Sequence, residues 1–277
     1  MAAGDIACDP ADPSFNLGRG TSTSCRQAST ASLLTGADLI LPLGDNQYEC
    51  GGLKAYQDSF DRSWGSFKVR MRPAIGNHEH HVTEGAASTG TECHAIPTAG
   101  YYAYFGATAP GGAYSFDAGG WHFATVDSTC NGASCVAQAR WLARDLSAHR
   151  AACSIVYYHH PRWSSGEQGN HRQSDPFWRV AATSGVDIIL NGHDHDYERF
   201  APMDVNGNAS AVGVREFVVG TGGRNHTAFD TTQPNSEVRN NDTFGVLRLT
   251  LHADSYDWQF LPIPGQTFTD HGSARCV

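Results

Sequence analysis

The chain is poor in lysine and has no long apolar run. Among its 277 residues only Lys54 and Lys68 are lysines, and 19 basic residues face 28 acidic ones for a net charge of -9. An acidic chain repels phosphate backbones, which argues against general nucleic-acid binding. No stretch approaches the roughly 20 apolar residues of a membrane helix, which argues against a membrane-spanning segment. Internal repeats, charge blocks and long linkers are also missing, so neither a solenoid nor a string of tethered modules is expected. The eight cysteines are scattered and form no CxxC pair, which removes zinc knuckles and dithiol redox motifs. What remains is 40% hydrophobic and 17% charged, the composition of a globular chain long enough for a sizeable core.

An even, dispersed set of cysteines points to disulfides and an oxidising compartment. Cys130 with Cys135 and Cys8 with Cys25 are the favoured pairs, the first closing the loop Cys-Asn-Gly-Ala-Ser-Cys. Sequons stand at Asn208, Asn225 and Asn241 and matter only in a glycosylating host. No signal peptide is visible, and the opening Met-Ala-Ala-Gly-Asp fits a mature form cut from a longer precursor.

Along the chain, apolar strands run into short turns rich in Asp, Asn, His and Gly. Strands are expected over 2–7, 38–43, 69–75, two within 113–127, 154–158 and 186–190. Helices are expected over 27–35, over 136–149 with Val136, Ala139, Leu142 and Leu146 on one face, and from an Asp175 N-cap to Gly185. The segments REFVVG, FGVLRLTLH and SYDWQFLP make the last third β-rich. This order argues for an α/β sandwich with a largely mixed sheet, whose ligands bind where strands end.

Five such ends carry chemistry: Asp5; Asp45 with Tyr48; Asn77 with His78; His159 with His160; His193 with His195. Each supplies hard or borderline metal ligands, namely carboxylate, phenolate, amide oxygen or imidazole. One such turn alone would be an ordinary Gly-Asp turn or a satisfied core histidine. All five, each after a strand, are hard to explain that way.

GDNQY (44–48), GNHE (76–79), VYYHHP (156–161) and GHDHDYER (192–199) resemble, in order, the blocks of the calcineurin-like metallophosphoesterases. The tyrosine of GDNQY makes the purple acid phosphatase branch the nearest match. The resemblance covers about two thirds of the chain. It implies one catalytic domain over 1–277, a four-layer-type sandwich with two mixed β-sheets flanked by helices. It also implies two metal ions per chain, iron with zinc or manganese. One site would comprise Asp5, Asp45, Tyr48 and His195. The other would comprise Asp45, Asn77, His159 and His193, with the two oxygens of Asp45 bridging the ions. His78 would act as general acid, and Asn77 and His78 would contact substrate. Glu79 and Arg199 would brace the site, while His160 is read as packing.

Two departures stand out. Asp5-Ile6-Ala7 replaces the usual Asp-x-Gly or Asp-x-His, so Tyr48 is needed to complete its site. Gln168 stands where a phosphate-contacting histidine is common, and nearby His171 is the candidate to replace it as a catalytic and substrate-binding residue. A solvent-exposed loop histidine is the alternative for His171.

The implied activity is hydrolysis of phosphate monoesters of a small phosphorylated substrate by a hydroxide bridging the two metals, in a secreted or periplasmic protein. A phosphodiesterase or nucleotidase with the same site is the alternative, decided by loops such as 80–100 and 162–175. A non-catalytic metal or carbohydrate binder would be expected to have lost a ligand, and every position is filled.

Overall fold

The computed structural model describes residues 1–80, 97–149 and 151–277. The bulk of the 80–100 loop expected to shape specificity therefore lies outside the described residues. In chain order the strands are β1 (Ala2–Ala3), β2 (Leu41–Pro42), β3 (Tyr114–Ala118), β4 (Trp121–Thr125), β5 (Cys153–Tyr157) and β6 (Ile188–Asn191), followed by β7 (Tyr197–Phe200), β8 (Arg215–Val219), β9 (Ser236–Asn240), β10 (Gly245–Leu251), β11 (Ser255–Pro262) and β12 (His271–Arg275). The helices are α1 (Gln27–Ala31), α2 (Leu53–Ala55), α3 (Ala99–Phe105), α4 (Gly132–Ala148) and α5 (Asp175–Ser184).

Two mixed sheets result. One has five strands in the order β12-β11-β10-β1-β2, and the other seven in the order β3-β4-β5-β6-β8-β7-β9. In the larger sheet β4, β5, β6 and β8 run parallel. Such strands are buried on both faces and read as continuous apolar runs. Their side chains alternate between two cores. Trp121, Phe123, Ile155, Tyr157, Ile188, Leu190, Phe217 and Val219 face the smaller sheet, where Val246, Leu247, Trp258 and Phe260 meet them. Ala124, Val156, Ile189 and Val218 face the other way, under Ala139 and Leu142 of α4 and Phe177, Trp178 and Ala181 of α5. Each fully buried side chain of this size contributes about 1.5–3 kcal/mol. Disulfides join Cys8 to Cys25 and Cys130 to Cys135, the favoured pairs, and a third ties Cys153 at the start of β5 to Cys276 near the chain end.

Several local expectations are corrected. No strand forms over 69–75. Trp64–Arg70 is a 3-10 turn, Val69 is 82% exposed, and only single bridges, Ile40 to Met71 and Leu43 to Ala74, remain of the pairing. Pro73 lacks the donor that a longer ladder needs. Similarly, β1 stops at Ala3 because Asp5 turns to a positive φ. The first helix ends at Ala31 and tightens into a 3-10 turn over Ser32–Leu34. In α4 Ala139 and Leu142 are buried and Leu146 packs partly against them, as expected, but Val136 is exposed and Cys135 is buried in its place. The Cys130–Cys135 bridge anchors the first turn and sets this phase. Asp175 lies inside α5, after Ser174, and its carboxylate takes Arg162 and Arg179 instead of capping the backbone.

Glu216 of β8 is fully buried on the outer face of the larger sheet. Its Oε1 accepts the backbone N–H of Arg162 at 3.0 Å, and its Oε2 has no protein partner. Burial, the largest cause, pushes its carboxyl up to about 8. The folded protein therefore holds this proton more tightly than the unfolded chain does. The resulting stability is complete below the ordinary glutamate range and is lost as pH rises through about 8. Glu216→Gln mimics the protonated form. It should melt like the wild type at pH 5 and be more stable at pH 9 by on the order of 2–4 kcal/mol. Equal denaturant midpoints at both pH values would contradict this.

Candidate metal centre

Asp5 follows β1, Asp45 follows β2, His159 follows β5, and His193 and His195 follow β6. These turns are sharp. Asp5, Asp45 and His193 hold φ values of 58°, 46° and 74°, a region non-glycine residues occupy at a cost of about 1–3 kcal/mol and mostly at functional sites. Close approach needs glycine as well. A Cβ at Gly76 would fall 2.2 Å from Asp45 Oδ1, and one at Gly44 (φ 89°) would strike the His159 ring at 2.6 Å.

The seven candidate ligands converge in two groups. In the first, Tyr48 Oη lies 3.0 Å from Asp5 Oδ1, 3.3 Å from Asp45 Oδ2 and 2.9 Å from His195 Nε2. In the second, His159 Nε2 lies 3.2 Å from Asp45 Oδ2, and His193 Nδ1 lies 3.2 Å from His159 Nε2 and 3.1 Å from Asn77 Oδ1. Both groups meet at one atom, Asp45 Oδ2. The other oxygen, Oδ1, accepts the backbone N–H of His78 at 2.9 Å. Asp5, Asp45, Tyr48 and His159 are buried, while Asn77, His193 and His195 keep partial exposure and open the centre on that side.

The donor chemistry fits cations. His159 Nδ1 sits 2.9 Å from the Leu43 carbonyl, which can only accept, so Nδ1 carries a proton and Nε2 is the nitrogen that faces inward. His195 Nδ1 is held the same way by Asn225 Oδ1 at 3.0 Å. Tyr48 has one proton for three surrounding acceptors. Donor atoms about 3 Å apart are spaced like neighbours around an ion with bonds of about 2.1 Å. The electrostatics agree. Burial, reinforced by Asp5 and Asp45, raises the Tyr48 phenol well above 10, so only a strongly charged cation displaces its proton. Burial alone would raise Asp45, yet His159 and His78 outweigh it and hold the carboxyl low. Burial opposes charge on His159 too, but Asp45 lifts it to about 9. His193, by contrast, is pushed well down by burial and by neighbouring imidazoles, toward the neutral form that ligates metals.

The surroundings sort the remaining candidates. Glu79 accepts the backbone N–H groups of Asp45, Asn46, Gln47 and Gly76 at 2.7–3.2 Å and so ties the two ligand loops together. Arg199 does not brace the centre. It lies on the inner face of β7 and grips Asp270 at 2.6 Å and Glu237. His78 lies outside both groups, with its ring 4.2 Å from that of Tyr48, its Nδ1 2.6 Å from the Glu49 carbonyl and its Nε2 3.8 Å from Asp45 Oδ2. His171 is not an exposed loop histidine. Its ring is 4.5 Å from that of His193, and its buried Nε2 has no protein partner. His160 is buried, bonded to Ser128 Oγ at 2.9 Å, and packs 4.3 Å from His193. The sequence reading missed the Leu43 carbonyl and Asn225. A backbone oxygen leaves no sequence signal, and Asn225 was visible only as a sequon.

The family model described as calcineurin-like phosphoesterase matches residues 26–197. The chain is 28% identical over 232 residues to tartrate-resistant acid phosphatase type 5 of Homo sapiens, spanning 75% of this chain and 69% of that protein. It is also 28% identical over 216 residues to purple acid phosphatase 15 of Arabidopsis thaliana, covering 67% of this chain but only 40% of the relative. The fold is similar to that of purple acid phosphatase PPD1 from yellow lupin (Lupinus luteus) seeds, with a TM-score of 0.76 and 19% identity, over 99% of this chain and 53% of that one. The chain thus spans about half the length, or less, of the plant proteins.

Gly76→Ala should push Asp45 out of register. The expected result is a 10–100-fold weaker hold on metal, read by metal content after dialysis, with an unchanged far-ultraviolet spectrum. Full metal content in this variant would contradict the geometry.

Proposed function

The chain belongs to the calcineurin-like phosphoesterase family, and on that footing we propose that it hydrolyses phosphate monoesters at a dinuclear metal centre built on Asp45. The observation that carries this reading is the meeting of two donor groups at Asp45 Oδ2. Asp5, Asp45, Tyr48 and His195 would hold one ion; Asp45, Asn77, His159 and His193 the other. When bound, the ions supply charge neutralisation at the phosphate and lower the pKa of water. Tyr48 favours a trivalent ion on its side, so iron with zinc or manganese is the pair we propose.

The protein's own part is positioning and proton transfer. His78 Nδ1 faces the Glu49 carbonyl, which fixes the ring and leaves Nε2 on the side of Asp45. From there Nε2 donates a proton to the departing alkoxide, a contribution of about 100–10,000-fold when well placed. The Asn77 amide and His171 Nε2 lie where phosphate oxygens would be gripped, His171 through its contact with His193. The ligands run from Asp5 to His195, so residues 1–277 act as one catalytic domain. The three disulfides among the described residues support an oxidising compartment, hence a secreted or periplasmic setting. The substrate is small and phosphorylated.

Protein loaded with iron and zinc or manganese should hydrolyse p-nitrophenyl phosphate faster than bis(p-nitrophenyl) phosphate, and chelation should abolish both activities. Faster diester turnover would move the assignment to a phosphodiesterase, and no turnover of either would reject it. His78→Ala should keep two ions per chain while kcat falls about 100-fold or more. Metal loss from this variant would show that His78 belongs to the ligand set instead.

A further inference from the structure

Residues 224–227, which follow β8, stand beyond the recognised blocks and bond the backbone and Nδ1 of His195. Around His195, the backbone N–H goes to Thr227 Oγ1 at 3.2 Å, the carbonyl faces His226 Nδ1 at 3.1 Å and also accepts the Thr227 N–H at 3.4 Å, and Nδ1 meets Asn225 Oδ1 at 3.0 Å. Only Nε2 is left to point at Tyr48 and Asp5. The orientation of the Asn225 amide is fixed independently. Its Nδ2 donates to the His226 carbonyl at 3.1 Å, so Oδ1 must be the atom facing His195. A carbonyl oxygen accepts only, and His195 Nδ1 must therefore carry the ring proton.

Arg224 completes the grip. Its backbone N–H donates to the Asp5 carbonyl at 2.9 Å, and its guanidinium bonds Glu49 at 2.7 Å and Asp12 at 2.9 Å while lying 5.1 Å over the face of the Tyr48 ring. A cation over the ring face favours the electron-rich phenolate.

We propose that segment 224–227 is a clamp on the Tyr48–His195 half of the centre, and that Asn225 is the positioning residue that holds His195 in the tautomer with a free Nε2. This rests on the metal centre proposed above. Metal-ligating histidines depend on such partners, whose loss costs about 10–100-fold in affinity. The clamp also gives Asn225 a role that a sugar would destroy, because a glycan on Nδ2 would displace the amide that orients the ring.

Two readouts separate the clamp from the metal reading. In metal-free protein at a pH high enough for the ring to be neutral, the imidazole nitrogen-15 signals of His195 should show one tautomer, protonated at Nδ1, in the wild type and in Asn225→Asp, but a mixture in Asn225→Ala. In Zn²⁺ titrations the wild type should take two ions per chain. Asn225→Ala should keep one and bind the second 10–100-fold more weakly, and Asn225→Asp should restore it. Should Asn225→Ala fail to fold, Asn225→Ser, which is too short to reach the ring, is expected to behave as predicted for alanine. A single Nδ1-protonated tautomer with wild-type Zn²⁺ affinity in the alanine or serine variant would overturn the clamp. If the wild type bound no second ion while the tautomer still shifted, the metal reading would fall and the positioning role of Asn225 would stand.

Discussion

One carboxylate oxygen, Asp45 Oδ2, is the point on which the rest of the centre depends. It lies within 3.3 Å of a phenol on one side and an imidazole on the other, in a setting that excludes most water. A buried negative atom of this kind is costly unless positive charge meets it. The surrounding groups show how that charge is arranged. His159 is lifted by Asp45, while burial and the same carboxylates hold Tyr48 protonated. Cations of high charge resolve both conditions at once.

The fold supplies the placement. Parallel β5 and β6 end on one edge, and β1 and β2 of the smaller sheet end beside them, so four separate turns deliver their side chains to one spot. Two apolar cores, one on each face of the seven-stranded sheet, fix these ends. Three positive-φ ligand residues, Asp5, Asp45 and His193, follow directly on the ends of these strands, where surrounding structure over-determines their conformation. Glu79 then locks the Asp45 loop to the Gly76 loop through four backbone N–H groups.

Much of this was legible in the sequence. The ligands sit in short blocks after apolar strands, and the alternation of Ile155, Val156 and Tyr157 between two cores is what a buried parallel strand requires. What was illegible had specific causes. That one oxygen of Asp45 serves both groups depends on a single backbone N–H, that of His78, which no side-chain pattern reveals. Arg199 was read as a brace of the site with the block GHDHDYER. Strand parity sends it, with Tyr197, to the inner face, where both bond Asp270. Asn225 was hidden because its local pattern, Asn-His-Thr, reads as a glycan acceptor and its partner lies 30 residues away. The expected strand over 69–75 failed on Pro73, and of the expected α4 face only Val136 fell outside, its place taken by the disulfide-bonded Cys135.

The most direct test is anomalous diffraction at the absorption edges of iron, zinc and manganese on crystals of metal-loaded protein. Two peaks per chain are expected, both within bonding distance of Asp45 Oδ2, one beside Tyr48 and His195 and the other beside His159 and His193. A single peak, or two peaks that do not share that oxygen, would contradict the dinuclear centre.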